Sequence, residues 1–226
     1  MRKIRKLFLM FFLLPFLLGM SLISDSESGS LTDERDGKVY KTVFVGGQYW
    51  FAQNLDASTF LTGDTIPEAK TKDEWVEACE NGRPVWCYYD NKLKNGQKYG
   101  KLYNWYAVND PRGLAPKGWH VSTKSDWQLI LLKLDDEPAW KLKSKNLWSG
   151  KMGSDAFGFS ATPGGSRIHN GEFASLKDAG YWWTSDSADE TFVYCFYMTY
   201  LDYKVELGKH NKWTGHSVRC VKNLDK

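Results

Sequence analysis

The spacing of apolar residues changes along this chain, and each change marks a different kind of segment. From Leu7 to Leu18 twelve apolar or proline positions run without a polar break, behind a basic head of Arg2, Lys3, Arg5 and Lys6. A core helix would carry a polar face, and a membrane-spanning helix needs about 20 apolar residues. Here Pro15, Gly19 and Ser21 interrupt the run. Basic, then apolar, then small is the layout of a secretory signal. Residues 1–21 are therefore expected to be a signal peptide, cleaved after Ser21 with Gly19 and Ser21 as the small pair. A lipid anchor would need a cysteine just behind the apolar block. Met20 stands there, and the first cysteine is Cys79. No membrane span is expected once the signal is removed.

Residues 22–36 are small and polar with no apolar period, which reads as a flexible linker. The domain is expected over residues 37–226. Val39 to Val45 and Gln48 to Asn54 are β-type runs separated by Gly46-Gly47, and two glycines suit both positive-φ positions of a hairpin turn. Thr71 to Glu74 has capping-box spacing and opens a helix ended by Gly82. Ser122 or Thr123 caps a second helix. Its Trp127, Ile130, Leu131 and Leu134 follow at i, i+3, i+4 and i+7 and form one apolar stripe. Beyond Pro138 the helical period disappears. Residues 139–157 are rich in Lys, Ser and Gly. Short β-type runs follow at 157–162, 172–173, 181–184, 191–200, 203–207 and 216–221, the second of them after an Asn170-Gly171 turn. An N-terminal hairpin, two helices, then antiparallel strands with long loops is an α+β order.

Charge and cysteine usage narrow the function. The full chain carries a formal +3, but four of its cations lie in the signal, leaving 26 basic residues against 27 acidic. That near-neutral balance lacks the basic footprint of a nucleic-acid binder. About 205 mature residues fit one domain. Cys79, Cys87, Cys195 and Cys220 form no C-x-x-C pair. An even number in an exported chain suggests two disulfides, with three connectivities open.

The most informative segments are Asp36-Gly-Lys-Val-Tyr-Lys-Thr-Val43, Tyr49-Trp-Phe-Ala-Gln-Asn-Leu55, Cys87-Tyr-Tyr and Tyr99-Gly-Lys-Leu-Tyr-Asn-Trp-Tyr-Ala-Val108. Pro116-Lys-Gly-Trp-His-Val121 with Asp126-Trp127, Gly158-Phe-Ser-Ala-Thr-Pro-Gly-Gly-Ser-Arg167, Gly180-Tyr-Trp-Trp-Thr-Ser185 and Ser217-Val-Arg-Cys-Val221 complete the set. In this order they resemble the Fibrobacter succinogenes major paralogous domain family, over about residues 36–223. The resemblance implies a C-type lectin-like fold of the formylglycine-generating-enzyme kind. It also implies export, often as a lipoprotein, and assigns no molecular activity. Ala115 stands where the family often has a cysteine, while Cys79 and Cys195 are outside its pattern. Set against that pattern, Cys87 has lost its usual partner and is expected to pair with Cys79, and Cys195 with Cys220 across two strands of the final sheet.

The residues favour binding over catalysis, and no catalytic residue is assigned. Copper-dependent formylglycine-generating enzymes need two close cysteines before the terminal Arg-Cys motif, and here Cys195 stands alone. His120, His169, His210 and His216 show no metal-ligand spacing with one another, so no metal site is expected. Asp186, Asp189 and Glu190 are a possible calcium cluster, with a solvated acidic loop as the preferred reading. The sugar-calcium motifs Glu-Pro-Asn and Gln-Pro-Asp of true C-type lectins are absent. No cofactor is implied. Most of the 11 Trp and 12 Tyr must pack in the core. Trp148, Tyr200, Tyr203 and Trp213 instead have polar or glycine neighbours, the setting in which aromatics meet flat ligands. The alternative is that they plug edges of a loop-rich fold. The expectation is an exported binding module of the periplasm, cell surface or exterior, meeting a glycan or an envelope or extracellular protein. A catalytic domain on the formylglycine-generating-enzyme-like scaffold and a structural envelope component are the alternatives.

Overall fold

The structure is a computed structural model and describes residues 28–224. The expected signal peptide and residues 22–27 of the expected linker lie outside the described residues. In chain order the elements are β1 (Ser28–Thr32), β2 (Val39–Val45), β3 (Gln48–Phe51), α1 (Lys72–Glu80), β4 (Trp86–Cys87), a 3-10 turn (Tyr89–Asn91), α2 (Leu93–Tyr99), β5 (Leu102–Tyr103), α3 (Trp105–Val108) and β6 (Trp119–Val121). After them come α4 (Lys124–Leu134), α5 (Pro138–Leu142), β7 (Ser166–Arg167), β8 (Phe173–Ala174), β9 (Ala179–Ser187), β10 (Phe192–Thr199), β11 (Glu206–Asn211) and β12 (Cys220–Lys222). Strand pairing between these elements is antiparallel. One sheet runs β1-β2-β3-β12-β6, a second β11-β10-β9, and two short pairs stand apart. Helices and mostly antiparallel strands are thus combined, as the α+β order predicts.

The expected hairpin forms between β2 and β3, with Gly46 and Gly47 at φ 65° and 85° and Val45 opposite Gln48. A Cβ on Gly46 would come within 2.7 Å of Ile130 Cα, so glycine serves the turn and the seating of α4 together. Helix α1 opens on the Thr71–Glu74 capping box and α4 on a box made by Thr123 and Asp126. Trp127, Ile130 and Leu134 of α4 are buried, the stripe that the period places inward.

Three expectations change. Residues 28–36 are not a tether: β1 pairs along its length with β2, from Ser28 opposite Val43 to Thr32 opposite Val39. An edge strand is held by its backbone and needs no apolar alternation, so Ser-Gly-Ser concealed it. The Arg35 guanidinium then pins the following turn, donating to Asp33 and to the carbonyls of Thr59 (2.6 Å) and Leu114 (2.9 Å). The run 157–162 forms no strand beyond an isolated bridge at Ala161, and the Lys-rich stretch after Pro138 begins with α5.

The disulfide expectation also fails. Cys79, Cys87, Cys195 and Cys220 are all free and buried. Cys195 and Cys220 belong to different sheets, on β10 and β12. Cys79 lies on α1 with its thiol 3.5 Å from the Trp213 carbonyl, while Cys87 sits in the β4–β5 pair.

The core is strongly aromatic. Trp127 of α4 stacks on Phe196 of β10 at 5.2 Å and 18°, and meets Trp50 edge-on at 5.2 Å. Such pairs add about 0.5–1.5 kcal/mol each beyond area burial. Two arginines lie fully inside this core. Arg219 donates to the Asn54 side-chain oxygen (2.7 Å) and to the carbonyls of Phe51, Phe159 and Ser160. Arg167 donates to the carbonyls of Gly171, Ala69 and Thr71. A buried cation is tolerable when its donors are matched in this way. Burial still pushes the Arg219 guanidinium down to about 9.

Candidate functional site

The long loops flanking α5 and β10 are organised by one side chain. Lys143, immediately after α5, is fully buried. Its ammonium donates to the carbonyls of Thr199 (2.6 Å), Asp202 (2.6 Å) and Lys151 (3.2 Å). It also lies 4.6 Å from the centre of the Trp148 ring and 5.4 Å from that of Tyr203. Three N–H donors meet three carbonyl acceptors, which holds the 144–156 loop against the 199–205 turn. The backbones are further joined by Lys151 N donating to Tyr200 O at 2.8 Å and Ser154 N donating to Trp140 O at 2.7 Å. On these linked segments four large apolar side chains remain in solvent: Trp140 (41% exposed), Met152 (48%), Tyr200 (38%) and Leu201 (62%).

The four aromatics expected at a binding face divide. Tyr200 is exposed on this surface and Tyr203 is half-buried beside it. Trp148 points inward, buried, with its Nε1 donating to the Ala161 carbonyl at 3.1 Å. Trp213 belongs elsewhere, half-buried against the cluster of Trp75, Cys79 and Cys87, with its Nε1 3.2 Å from the Tyr106 hydroxyl. Its carbonyl accepts from Trp75 Nε1 at 3.0 Å. Polar neighbours in sequence say nothing of what a chain reversal folds over them, which is why Trp148 reads as exposed and is not. Trp140 and Met152 were missed because nothing in the sequence of 139–157 distinguishes a solvent-facing apolar residue from a core one.

Two of the three carboxylates in the acidic loop bind backbone amides. Asp186 accepts from Lys124 N at the start of α4 (2.5 Å), and Asp189 accepts from the amides of Thr191 and Phe192 in the β9–β10 turn. Both act as caps of local structure.

A second cluster lies on one face of the β11-β10-β9 sheet. Trp183 and Tyr181 of β9 stand opposite Cys195 and Tyr197 of β10, and Cys195 stands opposite Gly208 of β11. His210 follows two residues beyond Gly208 on the same face. His216 enters from the segment before β12, clamped by backbone hydrogen bonds in both directions with Tyr103. Its ring stacks on Tyr181 at 4.9 Å and 18° and lies 4.4 Å from Trp183. His210 Nδ1 and His216 Nε2 are 2.8 Å apart. One donor atom from each of Cys195, His210 and His216 falls within 4.8 Å of the others, a proximity that their spacing in sequence does not reveal. Burial holds the His216 ring well below the ordinary imidazole range, with His210 adding to the effect, and lowers His210 as well. Burial likewise pushes the Cys195 thiol up to about 12. Among the described residues no helix is long and apolar enough to cross a membrane.

Fold and site together define a single mixed helix-and-sheet domain whose long loops are tied from within by buried cations. Residues 43–222 match the Fibrobacter succinogenes major domain, and the chain belongs to that family. No curated protein matches it, and no solved structure does.

Proposed function

We propose that the chain is an exported binding module of the bacterial envelope or exterior, built on a C-type lectin-like scaffold, that meets a glycan through the loop face around Trp140, Met152, Tyr200 and Leu201. One observation carries this reading. A single buried ammonium fixes the backbones of two loops while Met152, Tyr200 and Leu201 on them, and Trp140 of the adjoining α5, stay in solvent. Exposed aromatics on rigidly held loops lose little entropy on meeting a flat ligand. Tyr200, whose amide donates to the Asp178 carbonyl at 2.7 Å, sits beside the Ser149–Asp178 side-chain hydrogen bond of 2.5 Å, and an aromatic ring next to polar groups suits the alternating apolar and hydroxylated faces of a sugar. Export rests on the basic-then-apolar N-terminus.

The test is capture by the wild type and by a Trp140→Ala/Tyr200→Ala double variant on a glycan array and from envelope extracts. Trp140 and Tyr200 are 41% and 38% exposed, so each truncation should cost about 1 kcal/mol, and thermal unfolding checks that both proteins are folded at the capture temperature. The reading requires that the wild type retain at least one glycan class that the variant loses. Wild type that captures protein but no glycan assigns the face to a protein ligand instead. A variant that keeps every ligand of the wild type removes the loop face from function.

A further inference from the structure

We propose that Cys195, His210 and His216 bind a d10 transition-metal cation through one thiolate and two imidazoles. This site is separate from the loop face and does not rest on it. The three donor atoms already lie within 4.8 Å of one another, and bonds of about 2.0–2.3 Å to a common tetrahedral ion would set them about 3.3–3.6 Å apart, so side-chain shifts of about 1 Å complete the site. Each comes from a different backbone segment held by its own hydrogen bonds. Cys195 lies in the middle strand of a three-stranded sheet, His210 sits opposite Val193, and His216 is bridged to Tyr103. Gly208 leaves the room that His210 needs, because a Cβ there would come within 3.2 Å of the His210 Nε2.

The donor set decides the kind of ion. Sulfur with two nitrogens excludes calcium and magnesium, which take oxygen, and selects zinc or copper(I). Tyr181, Trp183 and His216 form tight aromatic walls, yet His210 is only half-buried, so an ion and a water would reach the donors along its exposed edge. A zinc(II) ion would use that water as its fourth ligand. A copper(I) ion is complete with three ligands and makes an uncharged unit with the thiolate, which suits an apolar wall.

The hydrogen bonding within the cluster also shows what binding must change. Two imidazole nitrogens 2.8 Å apart share one proton as N–H···N. His216 Nδ1, at the far side of that ring, is buried with no hydrogen-bond partner. When the ion enters, the shared proton moves to the far nitrogen of the ring that donated it, so that His210 Nδ1 and His216 Nε2 both offer lone pairs. The Cys195 S–H proton leaves to solvent, and one proton is released for each ion bound.

The full chain is stripped with a chelator and titrated separately with Zn(II) and Cu(I), each in competition with a chromophoric chelator, and with Co(II) as an optical reporter. The expected result is one equivalent bound, one proton released, and a thiolate-to-Co(II) charge-transfer band in the near ultraviolet. Whichever of Zn(II) and Cu(I) competes better names the ion. Cys195→Ser and His210→Ala should each lower affinity by more than about 100-fold, beyond what loss of an outer-shell partner causes. Cys79→Ser, which keeps the cluster intact, should bind as the wild type does. If the ligand variants fail to fold, the wild-type Co(II) band decides alone. Its absence overturns the proposal, and so does binding that survives unchanged in a folded Cys195→Ser.

Discussion

Replacing Lys143 by Met keeps the buried stem and deletes the ammonium, which isolates what that charge does. Three carbonyl oxygens, of Thr199, Asp202 and Lys151, lose their donor. A buried acceptor left unmade costs about 1–3 kcal/mol. The two at 2.6 Å should sit toward the upper end and the one at 3.2 Å toward the lower. Loss of the ammonium from the Trp148 ring face, 4.6 Å away, adds about 0.5–2 kcal/mol. Against this stands relief from burying the ammonium, a penalty of several kcal/mol for an ion in a protein interior. That burial pushes Lys143 down to about 8. The net expectation is a destabilisation of about 2–4 kcal/mol, read from urea unfolding of the two proteins. Hydrogen exchange localises it. The amides of Lys151 and Tyr200, which donate across the two loops at 2.8 and 2.7 Å, should exchange faster, while the β12–β6 ladder keeps its protection relative to global unfolding. A loss below about 1 kcal/mol with unchanged exchange at Lys151 and Tyr200 would falsify the claim that the ammonium organises the loops.

Two further outcomes follow from the chemistry described above. Burial opposes ionisation of Asp126, but hydrogen bonds from His120, Thr123 and Gln48 prevail and hold it at about 2, and the Asp126 hydrogen bond, against some burial, raises His120 above its ordinary 6.5. The stability that Asp126 supplies is complete above about 3.8 and drains as pH falls toward about 2, and that of His120 is complete below about 6.5 and drains as pH rises through its raised value. Urea midpoints against pH should show both limbs, and Asp126→Asn should flatten them; limbs that persist in that variant place their origin elsewhere. The free state of the cysteines is read by thiol titration. Burial pushes Cys79 to about 11, Cys87 and Cys195 to about 12, and Cys220 upward, so the native protein should react negligibly and the denatured protein should yield all four thiols. Finding only two in denaturant would restore a disulfide.

The elements legible in the sequence were those specified by contacts between near neighbours. The α4 stripe and its Thr123 cap, the Thr71 box of α1 and the Gly46-Gly47 turn each need only a few adjacent residues to define them. What escaped was defined by partners far along the chain. β1 exists because β2 offers an edge. Trp148 is buried because the backbone around Ala161 accepts its indole N–H. The Cys195–His210–His216 cluster draws on three segments, and the six-residue separation of its histidines fits no familiar ligand pattern. A signal for it was present in the alternation of the last strands, where Tyr181 and Trp183, Cys195 and Tyr197, and Gly208 and His210 each stand two apart. That alternation places each pair on one face of its strand, but only the sheet register brings the three faces together.

The cage around Lys143 recognises carbonyl oxygens and nothing else about the residues that carry them. Thr199, Asp202 and Lys151 contribute their backbones to it, so the grip of the lysine itself does not depend on what these segments present to solvent. A protein built this way can exchange almost every outward-facing residue of the 144–156 and 199–205 segments while one interior lysine keeps their paths unchanged. Surface chemistry is thereby uncoupled from loop geometry, and related chains that share the lysine can present different surfaces on a common frame without designing the frame again.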